Sequence, residues 1–297
     1  MRVAAAQIDI QLGHLETNLA EVIRWLGKAR DQQVDLVVFP ECALSGYCFE
    51  SRDEALPVAR RVDDPLWAQV AAACGQGRPM FAVVGYLETD GQRLFNGSVL
   101  VGPQGVVGSY RKVHLPHLGI DRFVDRGDRP YRVFAAGEMR VGLGICYDSS
   151  FPEPMRVLAL AGADVIALAT NWPVAAKRTA AIVPPARSME NHLYFVAANR
   201  IGRERTFQFC GLSSICGPDG IDLGQAPEGE ECLLTADIDL KIARNKRIER
   251  TVGAHVIDRF ADRRPEFYER ILGEPQPTPD QLEPDQSKPD QSKPDQP

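Results

Sequence analysis

The sequence lacks the features that mark membrane, secreted and nucleic-acid-binding proteins. No apolar run approaches the roughly 18 residues of a membrane-spanning helix. The opening segment MRVAAAQIDI is interrupted by Gln7 and Asp9 before any apolar run develops, so it does not match a signal peptide. Acidic residues outnumber basic residues by 40 to 34, which gives no general attraction to nucleic acid or to an anionic membrane. We therefore expect a cytoplasmic protein whose partner is a small molecule.

Motifs for nucleotide and metal chemistry are missing as well. Neither G-x-G-x-x-G nor G-x-x-x-x-G-K-[ST] occurs, which argues against the common phosphate-binding loops. The seven cysteines include no C-x-x-C pair, and their odd number favours free thiols in a reducing compartment. His114 and His117 form the one histidine cluster, and the prolines and glycine beside them favour a loop over a metal site. We expect neither a metal nor a cofactor.

The composition predicts one globular domain followed by a tail. Hydrophobic residues make up 44% of the 297 residues, which is enough for a sizeable core, and strand and helix patterns alternate along the chain. These patterns predict a single α/β domain over residues 1–273. Residues 274–297 are rich in proline, aspartate and glutamine, repeat the motif PDQSK and contain almost no large apolar groups. Such a segment cannot bury enough apolar surface to offset its ordering, so we predict a disordered tail.

Two local patterns give further expectations about the fold. Residues 80–87 and 94–101 predict adjacent strands, and Thr89-Asp90-Gly91 between them indicates a hairpin. Residues 175–191 predict a helix that contains Pro184 and Pro185. Because proline lacks the backbone N–H that a helix interior uses, we expect these two residues to kink or interrupt the helix.

The segment VGLGICYDSSFPE, residues 141–153, predicts a buried strand that turns into a helix at Cys146. Ser149 or Ser150 is a candidate helix cap, and Pro152 suits a first helical turn. At such an elbow, backbone N–H groups can bind a developing negative charge, and a thiolate is favoured. The alternative is that Cys146 is a small buried residue without a chemical role.

Glu41 and Lys112 share this placement at the end of a predicted strand. Residues 34–39 (VDLVVF) predict a buried strand that leads to Glu41, and residues 106–110 predict one that leads to Lys112. Residues at strand ends in α/β sheets often face ligands, although a solvent-facing acid and a solvated lysine are the alternatives. Acyl transfer needs a nucleophile, a base and a group that stabilises the oxyanion. Cys146, Glu41 and Lys112 supply these three types of group.

In several motifs that include these residues, the chain resembles the nitrilase superfamily of carbon–nitrogen hydrolases. The matching stretches, in the family's order, are FPECALSGY (39–47), YRKVHLP (110–116), GICYDSSFPE (144–153), NWP (171–173), ARSMENHLYFVAANR (186–200) and GLSSICGPDG (211–220). They cover nearly the whole chain up to Tyr268. The resemblance implies a four-layer αββα sandwich of two mixed sheets. It also implies that subunits pair into an eight-layer homodimer or a larger homo-oligomer.

The same motifs imply the roles of individual residues. Cys146 would be the nucleophile, Glu41 the general base and Lys112 the stabiliser of the tetrahedral intermediate. The backbone N–H of Tyr147 would add to the oxyanion site. Trp172 would line the substrate pocket, with a purely structural aromatic as the alternative. The implied reaction is hydrolysis of a linear amide or N-carbamoyl compound through a thioester, with release of ammonia or an amine.

The chain departs from the family's pattern at one position, and its cysteine motif narrows the expected chemistry. Many members carry a second glutamate several residues after the lysine, but here no glutamate follows Lys112 before Glu138. Asp121 is the candidate accessory acid and Asp125 the second choice, and a surface acid is the alternative for both. GICYD resembles the amidase and carbamoylase branches more than the nitrilases. Nitrile hydrolysis on the same site, or a non-catalytic binding or scaffold role, remain the alternatives.

Overall fold

A computed structural model describes residues 1–273, so the predicted tail over residues 274–297 lies outside the described residues. The strands are β1 Arg2–Gln7, β2 Leu36–Val38, β3 Phe81–Thr89, β4 Leu94–Gly102, β5 Gly105–Arg111, β6 Val133–Ala136, β7 Met139–Ile145, β8 Val165–Ala169, β9 Tyr194–Ala198, β10 Arg203–Glu204, β11 Phe207–Gln208, β12 Ser214–Cys216, β13 Asp222–Gln225, β14 Cys232–Asp237, β15 Arg247–Thr251 and β16 His255–Asp258. The helices are α1 Leu15–Asp31, α2 Arg52–Ala55, α3 Trp67–Gly75, α4 Pro152–Leu160, α5 Lys177–Asn191 and α6 Leu240–Arg244.

Twelve of these strands form two six-stranded mixed sheets. The first has the order β14-β1-β2-β3-β4-β5, with β1, β2 and β3 parallel. The second has the order β13-β12-β9-β8-β7-β6, with β7, β8 and β9 parallel. The predicted hairpin of β3 and β4 is confirmed and closes where Thr89 pairs with Leu94. Parallel strands at a sheet centre are buried on both faces, which explains why β2 and β8 consist of apolar residues alone.

The two sheets pack face to face between two layers of helices. Alternate side chains of β2 and β7, such as Val38 and Leu143, meet in one buried cluster between the sheets. The opposite face of the first sheet packs against α1 and α3 through residues such as Val37 and Leu26. The opposite face of the second sheet packs against α4 and α5. The predicted αββα layer order is therefore confirmed.

Helix α5 runs without interruption from Lys177 to Asn191, although it contains Pro184 and Pro185. The helix is therefore not interrupted at the prolines, and a kink there stays a prediction. Ala180, Pro184 and Ser188 are buried and recur every four residues, so one face of the helix packs on the protein. This packing maintains the helix where two backbone donors are missing, since tertiary contacts routinely outweigh local propensity.

The described residues divide at position 260. Residues 1–260 form one compact unit, and residues 261–273 belong to a second. The predicted boundary at residue 273 stays a prediction. Along residues 1–273, none of the helices combines the length and the apolar character that crossing a membrane requires.

A buried ion pair ties the chain after β9 to the loop after β2. Arg200 is fully buried and pairs with Glu204, which is also buried. The other oxygen of Glu204 accepts the backbone N–H groups of Tyr47 at 2.9 Å and Cys48 at 2.8 Å. Arg200 also donates to the Ile10 carbonyl at 2.6 Å. This pair therefore holds the loop that begins at Glu41.

Arg200→Met should lower the free energy of unfolding by about 3–5 kcal/mol, because it leaves the Glu204 carboxylate buried without its charged partner. Urea denaturation of both proteins gives the difference. Arg24→Met is the matched control, since Arg24 pairs with Glu21 at the surface, where such pairs contribute at most about 1 kcal/mol. Equal losses in the two variants would contradict the importance of the buried pair.

Candidate active site

Glu41, Lys112 and Cys146, the three residues predicted from strand ends, lie in one site. Lys112 follows β5, and its Nζ donates to Glu41 Oε1 at 2.6 Å. The charges of both residues act on the thiol of Cys146, which follows β7. Glu41 comes from the first sheet and Cys146 from the second, so the face-to-face packing of the sheets assembles the site.

A close approach to β3 fixes the position of Glu41. Gly85 lies against the loop so tightly that a Cβ there would sit 2.3 Å from the Pro40 carbonyl oxygen and 2.8 Å from Glu41 Cα. Only glycine allows the two backbones to come this near. From the other side, Asn171 Nδ2 donates to the Glu41 carbonyl oxygen at 2.9 Å. These two contacts fix the backbone of Glu41. Its side chain is fully buried.

Lys112 lies between two carboxylates. Besides Glu41, its Nζ donates to Asp121 Oδ2 at 2.5 Å, and all three side chains are fully buried. Asp125, the second candidate for the accessory acid, instead pairs with Arg52 at 3.0 Å and is partly exposed. The structure therefore places Asp121 beside Lys112 and Asp125 away from it.

Two further residues belong to this cluster and were not identified from the sequence. Asn96, on β4, donates from Nδ2 to Glu41 Oε1 at 2.7 Å and to Asp121 Oδ1 at 2.9 Å. The Tyr47 hydroxyl donates to Asp121 Oδ2 at 2.8 Å. An amide in the mostly apolar run LFNGSVLV was the available signal for Asn96, because a buried polar side chain needs hydrogen-bond partners.

Burial and neighbouring charges raise the pKa of both Glu41 and Lys112, for different reasons. Burial raises the pKa of Glu41, and the nearby Asp121 carboxylate adds to this effect, whereas Lys112 opposes it. Burial by itself would lower the pKa of Lys112, but Asp121 and Glu41 outweigh it and raise that pKa well above its usual range. Lys112 therefore stays an ammonium group, and Glu41 becomes a stronger base than an exposed glutamate.

Cys146 is partly buried, and its surroundings favour the neutral thiol. Burial is the main cause that raises the pKa of its thiol, and the Glu41 carboxylate raises it further. Lys112, the Asn171 backbone N–H and the Thr170 hydroxyl favour the thiolate but do not outweigh the burial. This direction is opposite to the predicted preference of the elbow for a thiolate.

The predicted strand-to-helix elbow is confirmed. Cys146 has a φ of +41°, in the left-handed region, and begins a short helical turn that ends at Ser150. Helix α4 then starts at Pro152 as its first residue. The predicted serine cap is wrong, because Phe151 occupies the cap position and the Ser149 hydroxyl donates to the Cys146 carbonyl at 2.7 Å. The serine is thus used inside the extra turn.

Asp148 joins the elbow to the segment that carries Lys112. Its Oδ2 accepts the Ile145 backbone N–H at 3.0 Å and the Tyr110 hydroxyl at 2.9 Å. Its Oδ1 accepts the His114 backbone N–H at 3.2 Å and lies 2.8 Å from His114 Nδ1. His114 therefore contributes to a hydrogen-bond network in a loop, as the preference for a loop predicted.

Tyr147 and Trp172, the predicted binding residues, have different environments. Tyr147 is 38% exposed, and its ring contacts the ring of Phe151 edge-on with centroids 5.1 Å apart. Trp172 is buried and shares an apolar cluster with Cys146. Its backbone N–H donates to Asn199 Oδ1 at 2.8 Å. The roles of Tyr147 and Trp172 in binding stay predictions.

Comparison with known proteins agrees with this geometry. The family model described as carbon–nitrogen hydrolase matches residues 2–247. The chain belongs to the carbon–nitrogen hydrolase family. A nitrilase from Pyrococcus abyssi is 38% identical over 272 residues, which cover 91% of this chain and 100% of that protein. An (R)-stereoselective amidase from a Pseudomonas species is 34% identical over 250 residues, which cover 82% of this chain and 88% of that protein.

Solved structures resemble this carbon–nitrogen hydrolase over almost its whole length. The amidase from Nesterenkonia sp. has a TM-score of 0.77 and 26% identity, covering 92% of this chain and 96% of that one. A mutant of the Nesterenkonia sp. AN1 amidase carries the acetamide moiety of fluoroacetamide, added covalently at the active-site cysteine. Its TM-score is 0.78 at 26% identity, covering 92% of this chain and 97% of that one. The αββα fold and the predicted enzyme class are confirmed.

The protonated state of Cys146 is testable by the ultraviolet absorbance of thiolates. Subtracting the pH titration of Cys146→Ser from that of the wild type isolates the Cys146 signal. The difference between the two folded proteins should show no rise in thiolate absorbance below about pH 8.5, the ordinary pKa of cysteine. The reason is that burial and Glu41 disfavour the anion. The unfolded pair should show the ordinary step. A step in the folded protein near neutral pH would contradict a protonated resting thiol.

Proposed function

We propose that this carbon–nitrogen hydrolase cleaves a linear amide or an N-carbamoyl compound through a thioester at Cys146. The proposal rests on the Glu41 carboxylate, which has one oxygen without a hydrogen-bond partner and acts on a thiol whose neutral form is favoured. Glu41 Oε1 accepts hydrogen bonds from Lys112 and Asn96. Glu41 Oε2 is buried and has no hydrogen-bond partner among residues 1–273. It is therefore an unoccupied proton acceptor next to a nucleophile that must lose a proton.

In the first half-reaction, Glu41 takes the thiol proton while Cys146 Sγ attacks the substrate carbonyl carbon. The C–S bond forms and the carbonyl electron pair moves onto oxygen. The Lys112 ammonium and the Tyr147 backbone N–H stabilise this oxyanion. Protonated Glu41 then gives its proton to the leaving nitrogen, the C–N bond breaks, and ammonia or an amine departs from the thioester.

In the second half-reaction, the same carboxylate acts on water. Glu41 takes a water proton as the hydroxide oxygen attacks the thioester carbon, and Lys112 again faces the oxyanion. The C–S bond breaks, the sulfur recovers the proton from Glu41, and the acid is released. Burial raises the pKa of Glu41, which brings it closer to the working pH, where a group that both accepts and returns a proton is most effective.

Nitrile hydrolysis on the same site is the alternative, and the name of the Pyrococcus abyssi relative supports it. The resemblance of GICYD to amidase and carbamoylase motifs, together with the amidase relatives, supports the amide or N-carbamoyl substrate. Both reactions begin with the attack of Cys146 on a carbon bound to nitrogen. Only a direct comparison of substrates separates them.

We also propose that the protein is cytoplasmic and forms a homodimer or a larger homo-oligomer. All seven cysteines are free, which supports a reducing compartment. The pairing of subunits rests on the family resemblance alone. Sedimentation at several protein concentrations would test it.

The proposed reaction predicts that the purified enzyme releases ammonia or an amine from at least one compound in a suitable panel. The panel contains short aliphatic amides, ω-amides, N-carbamoyl amino acids, N-carbamoyl amines and nitriles. Cys146→Ala should abolish the release, because it removes the sulfur on which the proposed thioester forms. Activity confined to the nitriles would support the alternative. Unchanged release in Cys146→Ala would overturn the proposed role of Cys146.

Asp121→Asn should lower kcat/KM about 10- to 100-fold, since displacement of a catalytic group by about 1 Å can cost about 10²-fold. The variant removes one of the two carboxylates that hold the Lys112 ammonium in place. Asp125→Asn is the matched control, because Asp125 is a partly exposed acid four residues away that pairs with Arg52. Steady-state kinetics on the best panel substrate should show the loss for Asp121→Asn only. Similar kinetics for the two variants would rule out Asp121 as the accessory acid.

A further inference from the structure

Asn96 joins the two buried carboxyl groups of the site. Its Nδ2 donates one hydrogen to Glu41 Oε1 at 2.7 Å and the other to Asp121 Oδ1 at 2.9 Å. A side-chain amide has two such hydrogens, so both are used. Asn96 is fully buried, and solvent does not reach the place of either hydrogen bond.

The orientation of this amide follows from its surroundings. The Cys42 thiol donates to Asn96 Oδ1 across 3.6 Å, which directs the amide oxygen away from the carboxylates. The reverse orientation would place that oxygen against oxygens of both Glu41 and Asp121 and leave its donors unused. The backbone carbonyl of Asn96 also accepts the Lys112 N–H at 2.8 Å. One residue of β4 therefore contacts the base, the accessory acid and the lysine.

These contacts leave the two oxygens of Glu41 unequal. Oε1 accepts hydrogen bonds from both Lys112 and Asn96, and Oε2 accepts none within the described part of the chain. We propose that Asn96 is a positioning residue, which fixes the Glu41 carboxylate so that Oε2 is the oxygen that takes the Cys146 proton. It also favours the ionised form of Glu41 against the repulsion from Asp121. This inference rests on the proposed function of Glu41 as the base.

The charges around Glu41 give the sign of the expected effect. The titratable groups that act on it, or on which it acts, are Lys112, Asp121, Cys42, Tyr47 and Cys146. Lys112 and the Asn96 hydrogen bond lower the pKa of Glu41, while burial and Asp121 raise it. Removing the Asn96 donor therefore raises this pKa further. In the proposed reaction, Cys146 is activated by ionised Glu41. The acid limb of the pH profile of Cys146 reactivity should therefore move to higher pH when Asn96 is replaced.

The test uses Asn96→Leu, which removes both donors while keeping a side chain of similar length. The readout is the rate at which iodoacetamide alkylates Cys146, located by mass spectrometry, over a range of about pH 5 to about pH 9. This rate needs no knowledge of the substrate. The midpoint of its acid limb should rise by about one pH unit, the size expected for a lost hydrogen bond to a charged group. The plateau rate should also fall.

Ser98→Ala is the matched control. Ser98 lies two residues along β4, on the same face of the strand, and its buried hydroxyl has no hydrogen-bond partner within residues 1–273. Its alkylation profile should match that of the wild type. An Asn96→Leu profile that is lowered equally at every pH, or one that is unchanged, would overturn the inference. If Asn96→Leu does not fold, Asn96→Ala gives the same measurement with the same two meanings.

The same experiments separate this inference from the proposed reaction. A displaced alkylation profile in an enzyme that hydrolyses nothing in the substrate panel would support Asn96 as the positioning residue and contradict amide hydrolysis. Amide hydrolysis with an undisplaced profile would support the reaction and contradict the role of Asn96. Where a substrate is found, kcat/KM of Asn96→Leu should show the same displacement of its acid limb.

Discussion

The ammonium group of Lys112 is completely buried, and the site is built around this constraint. A buried charge is very costly unless oppositely charged groups and hydrogen bonds compensate for the lost water. Glu41 and Asp121 provide the compensation at 2.6 and 2.5 Å. Two carboxylates beside one ammonium leave an excess of negative charge, and the donors of Asn96 and Tyr47 offset part of it. The buried ammonium therefore needs the two carboxylates, and the two carboxylates need the hydrogen-bond donors of Asn96 and Tyr47.

The same charges favour the neutral thiol of Cys146, the proposed nucleophile, over the thiolate. An ionised Cys146 would add another negative charge to a buried site that already holds two carboxylates. Burial and the charge of Glu41 raise the pKa of the thiol, and Lys112 only partly opposes them. In the proposed reaction, Glu41 accepts the proton of the sulfur as Cys146 attacks the bound substrate. In this arrangement the raised pKa of the Glu41 carboxyl group makes it a better acceptor for the proton of a neutral thiol.

The sheets supply the geometry that local sequence patterns cannot specify. Glu41 and Lys112 leave strands of the first sheet, while Cys146 leaves a strand of the second. Their separation depends on how the two sheets pack through side chains such as Val38 and Leu143. Asp148 then adds a direct connection, because it binds the backbone on both sides of the site, at Ile145 and His114. A shift between the sheets would therefore disturb the base and the nucleophile together.

Local patterns in the chain were enough to predict most of the strands and the chemical groups at their ends. Short apolar runs predicted the strands, and Glu41, Lys112 and Cys146 were recognised because each lies at the end of a predicted strand. Contacts between residues that are distant in the chain could be identified only in the folded protein. Asn96 lies 55 residues from Glu41, and no local pattern links the two. The choice of Asp121 over Asp125, the protonated state of Cys146 and the continuity of the helix at Pro184 likewise depend on burial and packing, which exist only once the chain has folded.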